Sequence, residues 1–374
     1  MSFRKTKFSK LMSEMENKNI DLVIITDAST VTYFTGFSYA ESSVLVVHKD
    51  GLFELYVPVL DYFRAKDSVT DVSVKAYARY PLPEVEIKDY VGKGLSDAIV
   101  DIIKSKKVRS IGLDYSRSRY EFVRRIIEKF KDELKLVDIG NVVSKLRAIK
   151  CSEEVEAISK AIKIAEESFS KIISNLRDGV SELEVAGMLD YEMKKRGAED
   201  YSFPTIVAFK ENSVYPHARA GTRILGKGSV VLIDWGAKFN GYCSDTTRTL
   251  SYRGSSNEFK KVLEAVCEAV DSAIDFIKPG VKGNEVDAVA RNTLRKYGLS
   301  KFFIHGLGHG VGIDVHEYPR LSPGSNDVLE SGMVVTIEPG VYIKDKFGVR
   351  VEEMVLITEK GCRVLTSLER SMGV

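Results

Sequence analysis

No stretch of this chain is apolar for long enough to cross a membrane. Its longest apolar runs, DLVIIT (21–26), SSVLVV (42–47) and GSVVLI (228–233), have the length of strands. The first ten residues, MSFRKTKFSK, are basic but lead into no apolar segment of the kind that opens a secretory signal. A cytoplasmic protein is expected. An excess of one charge is also missing, because 55 Lys and Arg stand against 53 Asp and Glu. That balance gives no electrostatic drive toward nucleic acid or an anionic membrane. Cysteine is scarce, and Cys151, Cys243, Cys267 and Cys362 form no C-x-x-C pair. A disulfide framework or thiolate zinc site is therefore not expected, and the four read as reduced thiols.

What the chain does have is length and pattern. With 374 residues, 44% of them hydrophobic, it can build two domains with substantial cores. Up to about residue 146, short apolar runs alternate with helical stretches. Residues 21–26, 43–48, 52–57 and 109–113 predict strands, and 92–105 and 119–132 predict helices. An α/β domain over 1–146 is expected, followed by a second domain over 147–374.

From Ser152, a candidate N-cap, apolar residues fall at Val155, Ile158, Ile162, Ala165, Phe169, Ile172 and Leu176, predicting an amphipathic helix that ends near Asp178-Gly179. Ser181-x-x-Glu184 is a capping box for a second helix stopping at Gly197. The pattern then recurs. DGVSELEVAGMLDYEMKKRGA, from Asp178, aligns without gaps to PGVKGNEVDAVARNTLRKYGL, from Pro279, with Ser255-x-x-Glu258 capping the helix before it. Matched positions lie 101 residues apart and apolar strands follow both segments, so the second domain is α+β and made of two related halves. A site between such halves is a natural place for chemistry.

The run SVVLIDWG ends in Asp234, a charge that needs compensation. Asn240-Gly241 signals a hairpin whose returning strand is YCSDTTRTL. A four-residue loop sets Asp234 opposite Asp245; a two-residue Asn-Gly turn sets it opposite Thr247 with Asp245 diagonal. Either register puts both carboxylates on one face, where they repel unless a proton or cation intervenes. Three of the five histidines, His305, His309 and His316, crowd into HGLGHGVGIDVHEYP, whose glycines permit close approach to a small centre. This segment matches neither G-x-G-x-x-G, since Val311 occupies the last glycine position, nor H-E-x-x-H, since Arg320 replaces the second histidine. His48 reads as structural. Glu338 ends the run MVVTI, and Glu352 interrupts VRVEEMVLI. Four carboxylates and one imidazole at strand ends suit two hard or borderline divalent cations better than one structural zinc.

Together, D-W-G, Y-C-S-D-T-T-R-T, H-G-L-G-H-G-V-G with H-E-Y-P, I-E-P-G and G-V-R-V-E-E resemble the pita-bread metallopeptidases, in the proline-specific branch of prolidases and Xaa-Pro aminopeptidases. YFTGF (33–37) is similar to the N-terminal domain of that branch. The resemblance implies a pita-bread catalytic domain with a pseudo-twofold repeat and two metal ions, manganese or cobalt first and iron or zinc as alternatives. Asp234 would hold one metal, His309 and Glu338 the other, and Asp245 and Glu352 both. It further implies hydrolysis of the bond preceding proline by a bridging hydroxide, with Glu338 carrying the proton and His217 and His316 facing substrate. Arg320 is a candidate clamp for a free C-terminal carboxylate. Arg350 is expected to orient Glu352 or contact substrate, and His305 to orient ligands. An Xaa-Pro dipeptidase, homodimeric, is the expected identity. The alternatives are an Xaa-Pro aminopeptidase acting on longer peptides and an inactive protein-binding relative. Methionine aminopeptidase and creatinase fit less well.

Overall fold

Short apolar runs bounded by polar turns become the strands of the first unit, and amphipathic stretches become its helices. A computed structural model of the protein describes residues 3–80 and 82–371, so Met1 and Ser2 of the basic N-terminal stretch lie outside the described residues. The chain divides into units Met1–Arg147 and Ala148–Val374. In the first, α1 (Phe3–Asn17), β1 (Leu22–Ile25), α2 (Ala28–Thr35), β2 (Val44–His48), β3 (Phe53–Pro58), α3 (Tyr62–Ser68), β4 (Ser73–Tyr77), α4 (Leu95–Ser105), β5 (Ser110–Leu113), α5 (Tyr120–Phe130), β6 (Lys135–Asp138) and α6 (Gly140–Ala148) follow one another. The strands form one mixed sheet in the order β4-β3-β2-β1-β5-β6. Central β1 is buried along its whole length, as a strand covered on both faces must be. His48 is buried with its Nε2 2.9 Å from Glu54 Oε2, a structural pairing.

The second unit carries the repeat. Its first half is α7 (Ser152–Ile173), α8 (Glu182–Lys195), β7 (Asp200–Tyr201), β8 (Ile206–Phe209), β9 (Val230–Trp235), β10 (Ala237–Phe239), β11 (Tyr242–Cys243) and β12 (Thr246–Ser251). Its second half is α9 (Asn257–Phe276), α10 (Gly283–Lys296), β13 (Gly308–Gly310), β14 (Glu317–Leu321), β15 (Val334–Ile337), β16 (Gly340–Ile343), β17 (Phe347–Arg350), β18 (Glu353–Ile357) and β19 (Cys362–Val364). Antiparallel β8-β9-β12 corresponds to antiparallel β13-β15-β18 within a five-stranded sheet. An isolated bridge Ser181–Ile224 recurs as Lys282–Val328, and the turn glycines Gly179 and Gly280 share φ of 83° and 89°.

Three boundaries differ from expectation. Helix α7 ends at Ile173, before Leu176, because the backbone turns at Ser174–Leu176 while the apolar spacing runs on. Ser152 is the first helical residue rather than the cap; Cys151 occupies that position, and Glu154 accepts from its N–H at 2.9 Å. Ser256, not Ser255, caps α9, accepting from Phe259 N, while Glu258 pairs with Lys346.

Strand alternation then decides which side chains reach the site. Along β9, Val231, Ile233 and Trp235 pack into a core with Ala165, Phe169, Val185 and Leu189 of α7 and α8. Trp235 stacks on Phe169 with centroids 4.2 Å apart and donates its indole N–H to Ala165 O. Each such large apolar side chain contributes about 1.5–3 kcal/mol by burial. Driving residues 231, 233 and 235 toward the helices turns Asp234 to the other face. In the second half, Val335 and Ile337 pack with Val266, Val270, Val286 and Leu294 of α9 and α10, leaving Thr336 and then Glu338 on the opposite side. No described helix is long and apolar enough to cross a membrane.

Candidate metal centre

The hairpin closes on two residues. Asn240 and Gly241 have φ of 48° and 80°, the left-handed pair that a tight I′ turn requires. Phe239 consequently faces Tyr242, and Asp234 faces Thr247. Of the two registers open in the sequence this is the second, so Asp245 is the diagonal neighbour of Asp234. Asp245, Thr247 and Thr249 share the face to which Asp234 points.

His309 sits in β13 between two glycines that pack against backbone. A Cβ on Gly308 would lie 2.0 Å from Thr336 O, and one on Gly310 would lie 2.2 Å from Tyr318 O. The His309 amide donates to Thr336 Oγ1 at 3.1 Å, and its Nδ1 lies 3.1 Å from Gly310 O. A carbonyl only accepts, so Nδ1 carries a proton, and a neutral His309 turns its Nε2 lone pair to the cluster. That Nε2 is 3.2 Å from Glu338 Oε1 and 3.6 Å from Asp245 Oδ2. Glu352 lies between β17 and β18. Its amide donates to Thr247 O, its carbonyl accepts from Arg248 Nη1 at 2.5 Å, and its Oε2 accepts from Thr247 Oγ1 at 2.8 Å. The two halves are stitched together at this residue.

Three overlapping sets of side chains bring potential ligand atoms within 4.8 Å of one another: Asp234, Asp245 and Glu352; His309, Glu338 and Glu352; and Asp245, His309 and His316. Burial, reinforced by the neighbouring carboxylates, pushes Asp245 and Glu352 well above the ordinary carboxylate range. Burial also raises Asp234, against the opposing charge of Arg350. Glu338 goes the other way: burial opposes it, but the hydrogen bond and charge that His309 supplies when its Nε2 is protonated hold it at about 2. Asp234 Oδ1 and Glu352 Oε1 are buried with no hydrogen-bond partner among the described residues. Clustered anions, two orphaned oxygens and an imidazole lone pair facing carboxylates make a donor set that fits divalent cations.

Around this cluster the remaining expected residues fall into two groups. His316 and His217 are exposed. The His316 ring lies 4.3 Å from that of His309 in an edge-on arrangement, and desolvation with the His309 charge lowers its pKa to about 4. His217 follows the short helical turn Lys210–Val214. Arg320, on β14, is exposed, and its amide donates to Asp327. Arg350, expected to orient Glu352 or contact substrate, is buried and turned inward. It donates to Asp234 Oδ2 at 2.6 Å, Thr247 Oγ1 at 3.0 Å, Tyr342 Oη at 2.6 Å and Pro216 O at 3.3 Å. Four of its five N–H groups are thereby engaged within the protein, and the carboxylate it holds is Asp234. His305 donates from Nδ1 to Gly306 O and accepts from Tyr342 Oη at 3.0 Å, so a chain of hydrogen bonds runs from His305 through Tyr342 and Arg350 to Asp234.

Thr247 and Tyr342 were not among the expected site residues. Thr247 had a signal in the hairpin register, since the residue opposite Asp234 must share its face. Tyr342 had none, because a tyrosine in a short apolar strand reads as core.

The sequence and the fold have counterparts among known proteins. The model for metallopeptidase family M24 matches residues 156–359, and that for the creatinase/prolidase N-terminal domain matches 7–149. The Xaa-Pro dipeptidase of Pyrococcus furiosus is 38% identical over 98% of this chain and 99% of its own. Among solved structures, an X-Pro aminopeptidase from Thermotoga maritima superposes with a TM-score of 0.88 at 34% identity, covering 98% of this chain and 99% of that one. An Xaa-Pro dipeptidase from Bacillus anthracis does so at 0.89 and 30%, covering 99% and 100%. The α/β domain followed by a pita-bread catalytic domain is thus a shared architecture along the full length, and the chain belongs to metallopeptidase family M24.

Proposed function

We propose that this protein is an Xaa-Pro dipeptidase working with two divalent cations. The observation that supports this most is the convergence of Asp234, Asp245, His309, Glu338 and Glu352 in one largely buried, anion-rich cluster beside the exposed His316. Asp234 would hold one cation, His309 and Glu338 the second, and Asp245 and Glu352 both. Manganese or cobalt suits this oxygen-rich set, and iron or zinc is also compatible. Bound there, the cations supply Lewis-acid polarisation and a water ionised near neutral pH.

The chain's own groups do the rest. Glu338, ionised beside His309, takes a proton from the attacking water and delivers it to the proline nitrogen as the C–N bond breaks, giving the Xaa carboxylate and free proline. That delivery matters because the X-Pro amide is tertiary and leaves poorly until protonated. Neutral at working pH, His316 can donate an N–H to the oxygen on which negative charge develops, and His217 can do so from the first half. Arg320, exposed on the strand that follows His316, would meet the carboxylate of a dipeptide.

The rival reading, an Xaa-Pro aminopeptidase, draws on the equally similar Thermotoga maritima structure. Turnover of an Xaa-Pro dipeptide against an Xaa-Pro-Yaa tripeptide separates the two. A dipeptidase prefers the dipeptide and loses that preference in Arg320→Ala; preference for the tripeptide contradicts this assignment. An inactive binding module is disfavoured by the complete ligand set. A cytoplasmic homodimer is the setting we infer, with four free cysteines in accord with a reducing compartment.

A further inference from the structure

The two halves fasten their histidine-bearing loops at corresponding positions by different devices. In the second half the first residue of α10 is Gly283, and the carbonyl oxygen of Arg320 lies 2.1 Å from where its Cβ would be. The backbone of β14, just after His316, thus rests directly on the helix start. One repeat earlier, the first residue of α8 is Glu182. Its side chain is 0% exposed and fills the corresponding place beneath the first-half loop.

Glu182 has no cationic partner among the described residues. Its Oε1 accepts from Phe209 N at 2.7 Å and from Asn212 Nδ2 at 3.0 Å, and its Oε2 accepts from Asn212 Nδ2 at 3.0 Å and from Gly221 N at 2.8 Å. These donors bracket the segment 209–221, which carries His217. From the other side the same segment is held by Arg350, which donates to Pro216 O. A buried carboxylate without a counter-ion is an expensive way to stabilise a fold, and the second half meets the same packing need with a glycine. What the carboxylate adds is hydrogen bonds from three donor groups, Phe209 N, Asn212 Nδ2 and Gly221 N, that tie down the loop carrying His217.

We propose that Glu182 is a positioning residue that sets His217 against the metal centre. This rests on the reading of His217 as a substrate-facing histidine. Glu182→Gln keeps the shape but replaces one acceptor by an NH2 group aimed at a backbone N–H, so the loop must shift. Displacement of a catalytic group by about 1 Å can lower the rate about 100-fold.

The test is a double-mutant cycle on the metal-loaded full chain with an Xaa-Pro dipeptide, using Glu182→Gln, His217→Ala and the pair. Glu182→Gln should lower kcat about 10- to 100-fold with little change in KM, bound metal or Tm, and should have almost no further effect once His217 is gone. Equal losses with and without His217, or no loss at all, would overturn the proposal. Full activity of His217→Ala would overturn both the proposal and the reading beneath it, whereas an impaired His217→Ala with multiplicative losses overturns the proposal alone. Should Glu182→Gln fail to fold, Asn212→Ala removes the side-chain donor to Glu182, and with it the bond to Arg219 O in the same loop, and enters the same cycle, with a smaller loss that again vanishes without His217.

Discussion

Replacing Arg350 by methionine probes how the cluster's charge is balanced. The guanidinium is 3% exposed and bonds Asp234 at 2.6 Å, with Thr247 and Tyr342 also on its donors. Removing one partner of a buried pair leaves the other uncompensated, at about 3–5 kcal/mol. For a domain of this size each kcal/mol moves Tm by about 2–4 °C, so the metal-free variant should melt about 6–20 °C below the metal-free parent. The sign of the pH dependence follows from Asp234. Without Arg350 its already raised pKa rises further, so the folded variant retains a proton that the unfolded chain releases. The deficit therefore grows with pH, by about 1.4 kcal/mol per unit across the window between the parent's raised Asp234 pKa and the variant's still higher one. Added manganese supplies positive charge to the same carboxylate and should recover much of the deficit. Denaturant melts at pH 5 and pH 8, with chelator and with metal, measure all of this. A deficit unchanged by metal and flat in pH would refute the argument that Arg350 serves as a charge partner of Asp234.

Two other perturbations test the same electrostatics. Asp245 has a pKa raised by burial and by Glu352 and Asp234, so its contribution to stability is present below the ordinary carboxylate value and lost as pH rises toward the raised one. Metal-free Asp245→Asn should therefore exceed the metal-free parent in stability at pH 7.5, by a margin that shrinks toward pH 4; a less stable variant at pH 7.5 would contradict this. Thr247→Val deletes the hydroxyl that donates to Glu352 and accepts from Arg350. A loss of about 1–3 kcal/mol in stability and about 10- to 100-fold in metal affinity, read by melting and by calorimetric titration of metal, is the expected result, and unaltered metal affinity would count against the role of Thr247.

Much of the cluster was legible because its members break patterns. A carboxylate ending an apolar strand at Asp234, another interrupting one at Glu352, and a histidine set between glycines are each hard to explain by packing. Parity along the hairpin then placed Asp234 and Asp245 on one face whichever turn was formed. Direction was less legible than identity. Arg350 announces a charge, and only the tertiary fold shows that it points inward to Asp234 and the Pro216 carbonyl. Helix ends also escaped, because apolar spacing continued past Ile173 and because adjacent serines at 255 and 256 qualify equally as caps. Glu182 was hidden beside Glu184, whose capping role gave one acid a reason and left its neighbour looking like an ordinary first-turn charge.

The most direct test of the central claim is hydrolysis of an Xaa-Pro dipeptide panel by metal-depleted protein as divalent cation is returned, with Asp245→Ala beside it. The account predicts negligible activity after depletion, recovery that saturates near two equivalents of manganese or cobalt per chain, and no recovery in the variant. Substantial hydrolysis surviving thorough metal removal, or full activity in Asp245→Ala, would contradict it.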